Sequence, residues 1–398
     1  MRHVLAWALF DLANTFFAVA MLSFYFPLWV VEDGGGKELH FSIALGASMV
    51  CVALLMPFCG AVSDAAGERM RFLRWTTYGC AVLTLLIGLT DHLWVALALF
   101  GAANVCYQLG TVFYDALLWR VAAPETLGQT SGFGAAFGYL GSALGLLLLW
   151  PFVQAGGHQA AFMPSAGFFL LFALPSFLLI RDAAPPTGRI AWLAVIRSAA
   201  LRLAMTVRSA RSFVGLWRYF WAAFFSLNAI NTVLVFMAVY TRKVLGFTHL
   251  EIIRFFVVSQ CFAIAGSLVF GRLVPHLGAK RTLGWIWTGW MFALGLLAAN
   301  PASWWLWIAG PIIGFCLGST WATSRVLVIE LSPKDQLAEM LGLAGLFARA
   351  SSIFGPLVWG LLVSDPSRYR QAVLSLVVLL GIGVWLLRRV PDPAQVVG

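Results

Sequence analysis

Val4-Leu-Ala-Trp-Ala-Leu-Phe-Asp11-Leu-Ala-Asn14-Thr-Phe-Phe-Ala-Val-Ala-Met-Leu-Ser-Phe-Tyr-Phe-Pro-Leu-Trp-Val-Val31 is a long apolar run with one carboxylate, Asp11, and one amide, Asn14, a turn further on. A helix that crosses a bilayer needs ~20 mostly apolar residues. A carboxylate inside such a helix is costly and normally faces a partner, a cavity or a water path. Working outward, runs of the same kind recur at 42–62, 72–90, 93–119, 130–150, 162–180, 213–240, 252–274, 282–299, 303–329, 338–363 and 369–387. The expectation is therefore an all-α membrane protein with twelve transmembrane helices. The first and fourth spans are long enough to tilt or kink.

Composition agrees. Of 398 residues, 61% are hydrophobic and 11% charged, too few charges to clothe a soluble protein of this size. The N-terminal run is expected to stay as a span, because it is too long for a signal peptide and contains Asp11. The net charge of +10 could suggest nucleic acid, but its placement points elsewhere. With both termini inside, 18 basic residues fall in cytoplasmic segments, 3 in the membrane and 5 (Lys37, Arg242, Lys243, Arg368, Arg370) in external loops. Positive charge concentrated on the cytoplasmic side orients membrane proteins. No nucleic-acid partner is expected.

The six cysteines, Cys51, Cys59, Cys80, Cys106, Cys261 and Cys316, all lie in spans without metal-ligand spacing and read as packing thiols. No two of the six histidines share a helix face, so no metal site is expected. HExxH, GxSxG and P-loop patterns are absent from the sequence, which gives no support to an enzyme. No cofactor is implied beyond coupling to protons or sodium.

The longest polar stretch, 181–212, divides the chain into 1–180 and 213–398. It opens with Arg181, Asp182 and Pro185-Pro186. At 100° per residue, Arg189, Arg197, Arg208 and Arg211 fall within about 100° of arc, with Trp192, Val195, Ile196 and Leu203 on another side. An amphipathic helix on the anionic inner leaflet is expected; a flexible basic linker is the alternative. The two halves repeat weakly. Gly60, Gly67 and Arg69 match Gly271, Gly278 and Lys280 at an offset of 211, while Gly145 and Gly355 lie 210 apart and Pro124 and Pro333 lie 209 apart. Two six-helix halves related by duplication place a solute site near the midplane between them.

The loop Gly60-Ala-Val-Ser-Asp64-Ala-Ala-Gly67-Glu-Arg69 resembles the conserved loop of the major facilitator superfamily. Three further stretches resemble its autophagy-related vacuolar effluxer branch: Trp7-Ala-Leu-Phe-Asp11-Leu-Ala-Asn14-Thr; Gln108-Leu-Gly-Thr-Val-Phe-Tyr114-Asp, followed by Ser131-Gly-Phe-Gly and Gly138-Tyr-Leu-Gly141; and Ser324-Arg325 with Gly342-Leu and Ala350-Ser-Ser-Ile-Phe-Gly355-Pro356. Two departures alter charge. Asn228-Ala229 stands where the branch has aspartate-glycine, and Asp115 stands where it has asparagine.

The resemblance implies a cavity lined by the first, fourth, seventh and tenth spans. That selects Asp11 and Asn14; Tyr107, Gln108, Tyr114 and Asp115; Asn228 and Asn231; and Trp321, Ser324 and Arg325. Asp11 is read either as a coupling or solute-contacting acid or as a structural carboxylate paired with an interior arginine. Asp115 and Arg325 can form a gate pair, or partner Arg120 and Glu330. Arg349, deep in the eleventh span, can fix an acid, bind a solute carboxylate or snorkel to the inner interface. A cytoplasmic latch is expected from Gly60, Asp64, Gly67, Arg69 and Arg71, with Asp64 at a helix N-terminus in the opposite half. The second copy, Gly271, Gly278 and Lys280, has Pro275 in place of the acid. Gly134, Gly138, Gly141 and Gly145 form a small-residue stripe for close helix packing, with gating as the other reading.

The resemblance implies a monomeric secondary transporter in a bacterial plasma membrane, in contact with lipids, that exports a small solute such as an amino acid. Cation-coupled uptake of a sugar-like solute and a transporter-like receptor or scaffold without turnover are the competing readings.

Overall fold

In a computed structural model, residues 2–122, 127–182, 192–299, 303–333 and 336–392 are described. Pro124, Pro185, Pro186 and Arg189 lie outside them, as does the side chain of Trp192. Among the described residues the chain is helical throughout, without strands. The helices are α1 (Arg2–Ala18), α2 (Tyr25–Glu32), α3 (Glu38–Ala66), α4 (Arg69–Ile87), α5 (Leu93–Val121), α6 (Leu127–Gly156) and α7 (Phe162–Leu179). They are followed by α8 (Trp192–Ser212), α9 (Val214–Lys243), α10 (His249–Leu277), α11 (Ala279–Ala299), α12 (Ser303–Leu331), α13 (Leu337–Leu362) and α14 (Tyr369–Arg388).

Among the described residues, eleven segments are long and apolar enough to cross a membrane, the first of them Arg2–Glu32. Only α4, among the expected spans, falls short. Its first six residues carry Arg69, Arg71 and Arg74, which lowers its apolar content without changing its place in the bundle. The outward sides of these helices expose large apolar side chains such as Leu54, Trp75 and Leu178. In water that surface would aggregate; in lipid it is matched to its surroundings.

The first span does break. After α1 the chain makes a π-helical turn, Val19–Ser23, and restarts at Tyr25. Pro27 in the first turn of α2 has no N–H to donate, which favours a helix start there. The Tyr25 hydroxyl donates to the Leu146 carbonyl (2.6 Å) and fixes the restart against α6. The fourth span, α5, is instead a single helix of 29 residues.

Two compact units emerge, Met1–Arg202 and Leu203–Gly398. In the first, α1 packs on α6 and α7, and α5 packs on α3 and α4. In the second, α9 packs on α13 and α14, and α12 packs on α10 and α11. The loops after the second span of each unit turn at glycines in the left-handed region, Gly67 (φ 68°) and Gly278 (φ 81°). A side chain there would be strained. These are the two glycines matched by the 211-residue offset.

The division between units falls inside α8. Its buried residues are Ala199, Thr206 and Ala210, and Thr206 and Ser209 donate to Glu339 (2.8 Å) and Gln336 (2.6 Å) at the start of α13. The opposite face exposes Arg197, Leu201, Met205, Arg208 and Arg211. The exposed face is thus basic, with Leu201 and Met205 set into it.

Candidate functional site

In the first unit the candidates gather where α1 meets α5 and α6. Trp7 stacks on Tyr114 with ring centroids 4.6 Å apart, and its indole N–H donates to the Tyr114 carbonyl (3.2 Å). Phe10 also stacks on Tyr114, at 5.1 Å, and Tyr107 lies 5.1 Å from Phe17. Tyr114 is therefore a buried part of the α1–α5 seam. Asn14 is buried and Gln108 half-buried, while Asp115 is exposed near the end of α5.

Asp11, half-buried, points at the glycine stripe of α6. A Cβ added to Gly138 would stand 3.2 Å from Asp11 Oδ2 and 3.4 Å from the Thr15 methyl. The Thr15 hydroxyl donates to the Gly138 carbonyl (2.6 Å). Gly134, Gly141 and Gly145 meet Trp7, Leu12 and Val19 in turn, leaving no room for a Cβ. The stripe lets two backbones approach closely around an acid, and Tyr139 lies within electrostatic reach of that acid.

In the second unit, Asn228 is 1% exposed and both functions of its amide are engaged. Its oxygen accepts from Gly355 N–H on α13 (2.8 Å), and its NH2 donates to the Phe224 carbonyl (2.8 Å). Asn231 donates to the hydroxyls of Ser351 (3.1 Å) and Ser352 (2.9 Å). Both candidate amides thus face α13. Trp321 and Arg325 are exposed on α12. Arg349, half-buried, sends one guanidinium nitrogen toward its own helix at the Gly345 carbonyl (3.5 Å).

The loop between α3 and α4 is tied within its own unit. Asp64 pairs with Arg69 (2.8 Å), Arg69 donates to the Ala116 carbonyl (3.0 Å), and Arg71 pairs with Glu68 (2.9 Å). The carboxylate that caps α4 is Asp182, which accepts from Met70 N–H (2.7 Å) and Arg71 N–H (3.0 Å). Arg120 stands 3.7 Å from it. Gly60 has open space where a Cβ would be, so its absence of a side chain is not required by packing inside this unit. In the second unit Gly271 is likewise open, and Lys280 pairs with Asp392 (3.2 Å).

Sequence reasoning missed Asp182 and Asp392. The signal was present: they lie 210 residues apart, each just beyond the last span of its unit. Each reaches the start of its unit's third span. It also missed Thr15, Ser351 and Ser352, because lone hydroxyls in apolar helices carry little sequence signal.

Two bundles of lipid-facing helices, a glycine-bounded loop at the same place in each and a polar face on the leading helix of each define a solute transporter of the two-bundle type. The chain belongs to the Major Facilitator Superfamily, whose profile matches residues 12–289 and 255–397. It is 24% identical over 412 residues to the Uncharacterized MFS-type transporter YxiO of Bacillus subtilis (strain 168), a match covering 97% of this chain and 94% of that one. A shorter match, 24% identical over 244 residues, joins 55% of this chain to 40% of Autophagy-related protein 22 of Coccidioides immitis (strain RS). Among solved structures, the nucleoside transporter NupG superposes over 98% of both chains with a TM-score of 0.74 at 12% identity, which speaks for the fold alone.

Proposed function

We propose that this protein is a secondary transporter that works by alternating access and exports a small solute such as an amino acid. It acts as a monomer in a bacterial plasma membrane, with both termini and α8 on the cytoplasmic side. The observation that carries the coupling is Asp11, a carboxylate on a membrane-spanning helix set against the bare backbone of Gly138. A group that gains or loses a proton as its surroundings change from dry to wet can tie ion flow to solute movement. Export and an amino-acid solute rest on the resemblance to vacuolar effluxers. The basic face of α8 and the 18-to-5 distribution of basic residues support the orientation.

The purified protein is screened by thermal shift against amino acids, peptides, sugars and nucleosides. A ligand bound only by the folded state at 100 times its Kd adds about 2.7 kcal/mol. Hits are then followed in proteoliposomes of defined orientation. Gradient-driven exit of an amino acid is expected. Inward accumulation of a sugar would establish the cation-coupled uptake reading, and binding without transport would establish a receptor. For orientation, Ala204→Cys on α8 is placed in a background lacking the six native cysteines. Labelling by an impermeant reagent from outside intact cells would contradict the cytoplasmic placement.

A further inference from the structure

Asn228 and Asn231 stand three residues apart on α9, yet their amides are used differently. Both functions of Asn228 are engaged by backbone. Asn231 is engaged on one side only. Its NH2 donates to Ser351 Oγ (3.1 Å) and Ser352 Oγ (2.9 Å), while its Oδ1 accepts from no described residue. The orientation of this amide follows from its neighbour. Ser351 is 0% exposed and donates its own proton to the Ala348 carbonyl (2.6 Å), so toward Asn231 its oxygen can only accept. The group facing it must be the NH2, which carries two donors. Ser352 Oγ takes the second N–H and gives its own proton to no described residue. The cluster therefore keeps one acceptor, Asn231 Oδ1, and one donor, the Ser352 hydroxyl.

The surroundings of that pair are restrictive. From Ser226 to Thr241 every residue of α9 is buried except Asn231 and Leu234, which are half-buried and share a face. The narrow strip of this stretch that is not packed away thus carries an open acceptor in the middle of a membrane-spanning helix. An amide oxygen turned to hydrocarbon is costly, so polar groups at this depth face a partner, a cavity or a water path. Hydrogen bonds across helices also hold membrane bundles together. The two bonds to α13 meet that need, and neither uses Oδ1 or the Ser352 proton.

We propose that Asn231 and Ser352 are specificity-determining contacts of the solute site, and that Ser351 is a positioning residue that holds the Asn231 amide in place. This inference rests on the reading of the protein as a transporter of amino acids. Asn231 Oδ1 accepts from the ammonium group of the solute, and the Ser352 hydroxyl donates to its carboxylate. One neutral acceptor beside one neutral donor matches a zwitterion, whose two charged groups sit on one carbon. The same carboxylate without its amino group would leave Oδ1 facing nothing that can donate. Sites built to hydrogen-bond a particular group discriminate strongly against analogues that lack it.

Calorimetry on the detergent-solubilised full chain tests this with the proteinogenic L-amino acids, then with the des-amino analogue of the tightest binder (4-methylpentanoate, if that is leucine). The amino acid should bind at least about ten-fold tighter than its des-amino analogue. Asn231→Leu keeps the side-chain size and leaves Ser351 bonded to Ala348, and it should erase most of that ratio. Ser351→Ala frees the amide to turn, so the ratio should fall although Asn231 is still present. A serine that only braced the helix pair would lower the melting temperature and leave the ratio unchanged. Ser352→Ala should weaken the amino acid several-fold while leaving the matching amine, which lacks the carboxylate, unaffected. If Asn231→Leu does not fold, the two serine variants read the same ratio. Binding of no amino acid would overturn both this inference and the amino-acid reading. Binding with the wild-type ratio retained in the folded Asn231→Leu and Ser351→Ala variants would overturn this inference alone.

Discussion

The leading helices of the two units make a similar crossing with different chemistry. In the first unit Asp11, with Thr15 a turn later, lies against Gly138; in the second Asn228, with Thr232 a turn later, lies against Gly355. Each polar residue precedes its glycine by 127 positions. Unit one spreads its contact along four glycines and leaves a carboxylate beside one of them. Unit two concentrates its contact at one glycine and locks its amide onto that glycine's N–H. The same crossing can be a joint or a device, and the difference between amide and carboxylate decides which. An amide satisfied by backbone at both ends has no proton to exchange. The charge lost at 228 is accounted for by a structural bond, while the carboxylate at 11 is the group to which the proposal assigns coupling.

The largest effect on stability is expected at the second crossing. Gly355→Ala would drive a methyl onto the Thr232 hydroxyl and the Asn228 carbonyl, and overpacking of this kind costs about 1–3 kcal/mol. Gly138→Ala meets the Asp11 carboxylate at 3.2 Å and the Thr15 methyl at 3.4 Å, with no backbone atom that close, so its melting temperature should fall less. A larger loss at Gly138 than at Gly355 would reverse the assignment of joint and device.

Asn228→Ala comes next. It leaves the buried Gly355 N–H without an acceptor, at a cost of roughly 1–3 kcal/mol. Solute affinity in the variant that still folds should change little. A variant with full stability and abolished binding would move Asn228 from the joint to the solute site.

The starts of α4 and α11 offer a milder version of the same contrast. Asp182 caps α4 through two backbone N–H groups, whereas Asp392 is nearly half exposed and, among the described residues, holds the Lys280 ammonium. Asp182→Asn should cost on the order of 0.5–2 kcal/mol as a lost helix cap. Asp392→Asn should cost about 0–1 kcal/mol, as exposed ion pairs do. Equal losses in chemical denaturation would show that the cap geometry at α4 has no special weight.

The spans were legible because the bilayer imposes a length and a composition on every helix that crosses it. Only α4 blurs that signal, through its arginines. The left-handed glycines at 67 and 278 were legible because backbone conformation there excludes other residues. The partners of polar residues were not. Whether Asn228 meets a solute or the Gly355 N–H depends on how α9 and α13 are rotated, and single helices carry no record of that. Within its unit Asp64 pairs with Arg69, and α4 is capped by Asp182, remote in sequence by 112 positions from Met70, a contact that no local motif announced. Local motifs identify loops well and identify long-range partners poorly.

The most direct test sets Asp11→Asn beside Asn228→Ala in one preparation, reading melting temperature, solute exchange and gradient-driven accumulation of the best thermal-shift hit. Asp11→Asn should melt close to the wild type, retain exchange and lose gradient-driven accumulation. Asn228→Ala should melt lower yet keep its remaining transport gradient-driven. Had Asp11 instead been one half of a buried ion pair, its loss would cost roughly 3–5 kcal/mol. A clear drop in melting temperature, or full gradient-driven accumulation in Asp11→Asn, would contradict the assignment of Asp11 as the coupling acid.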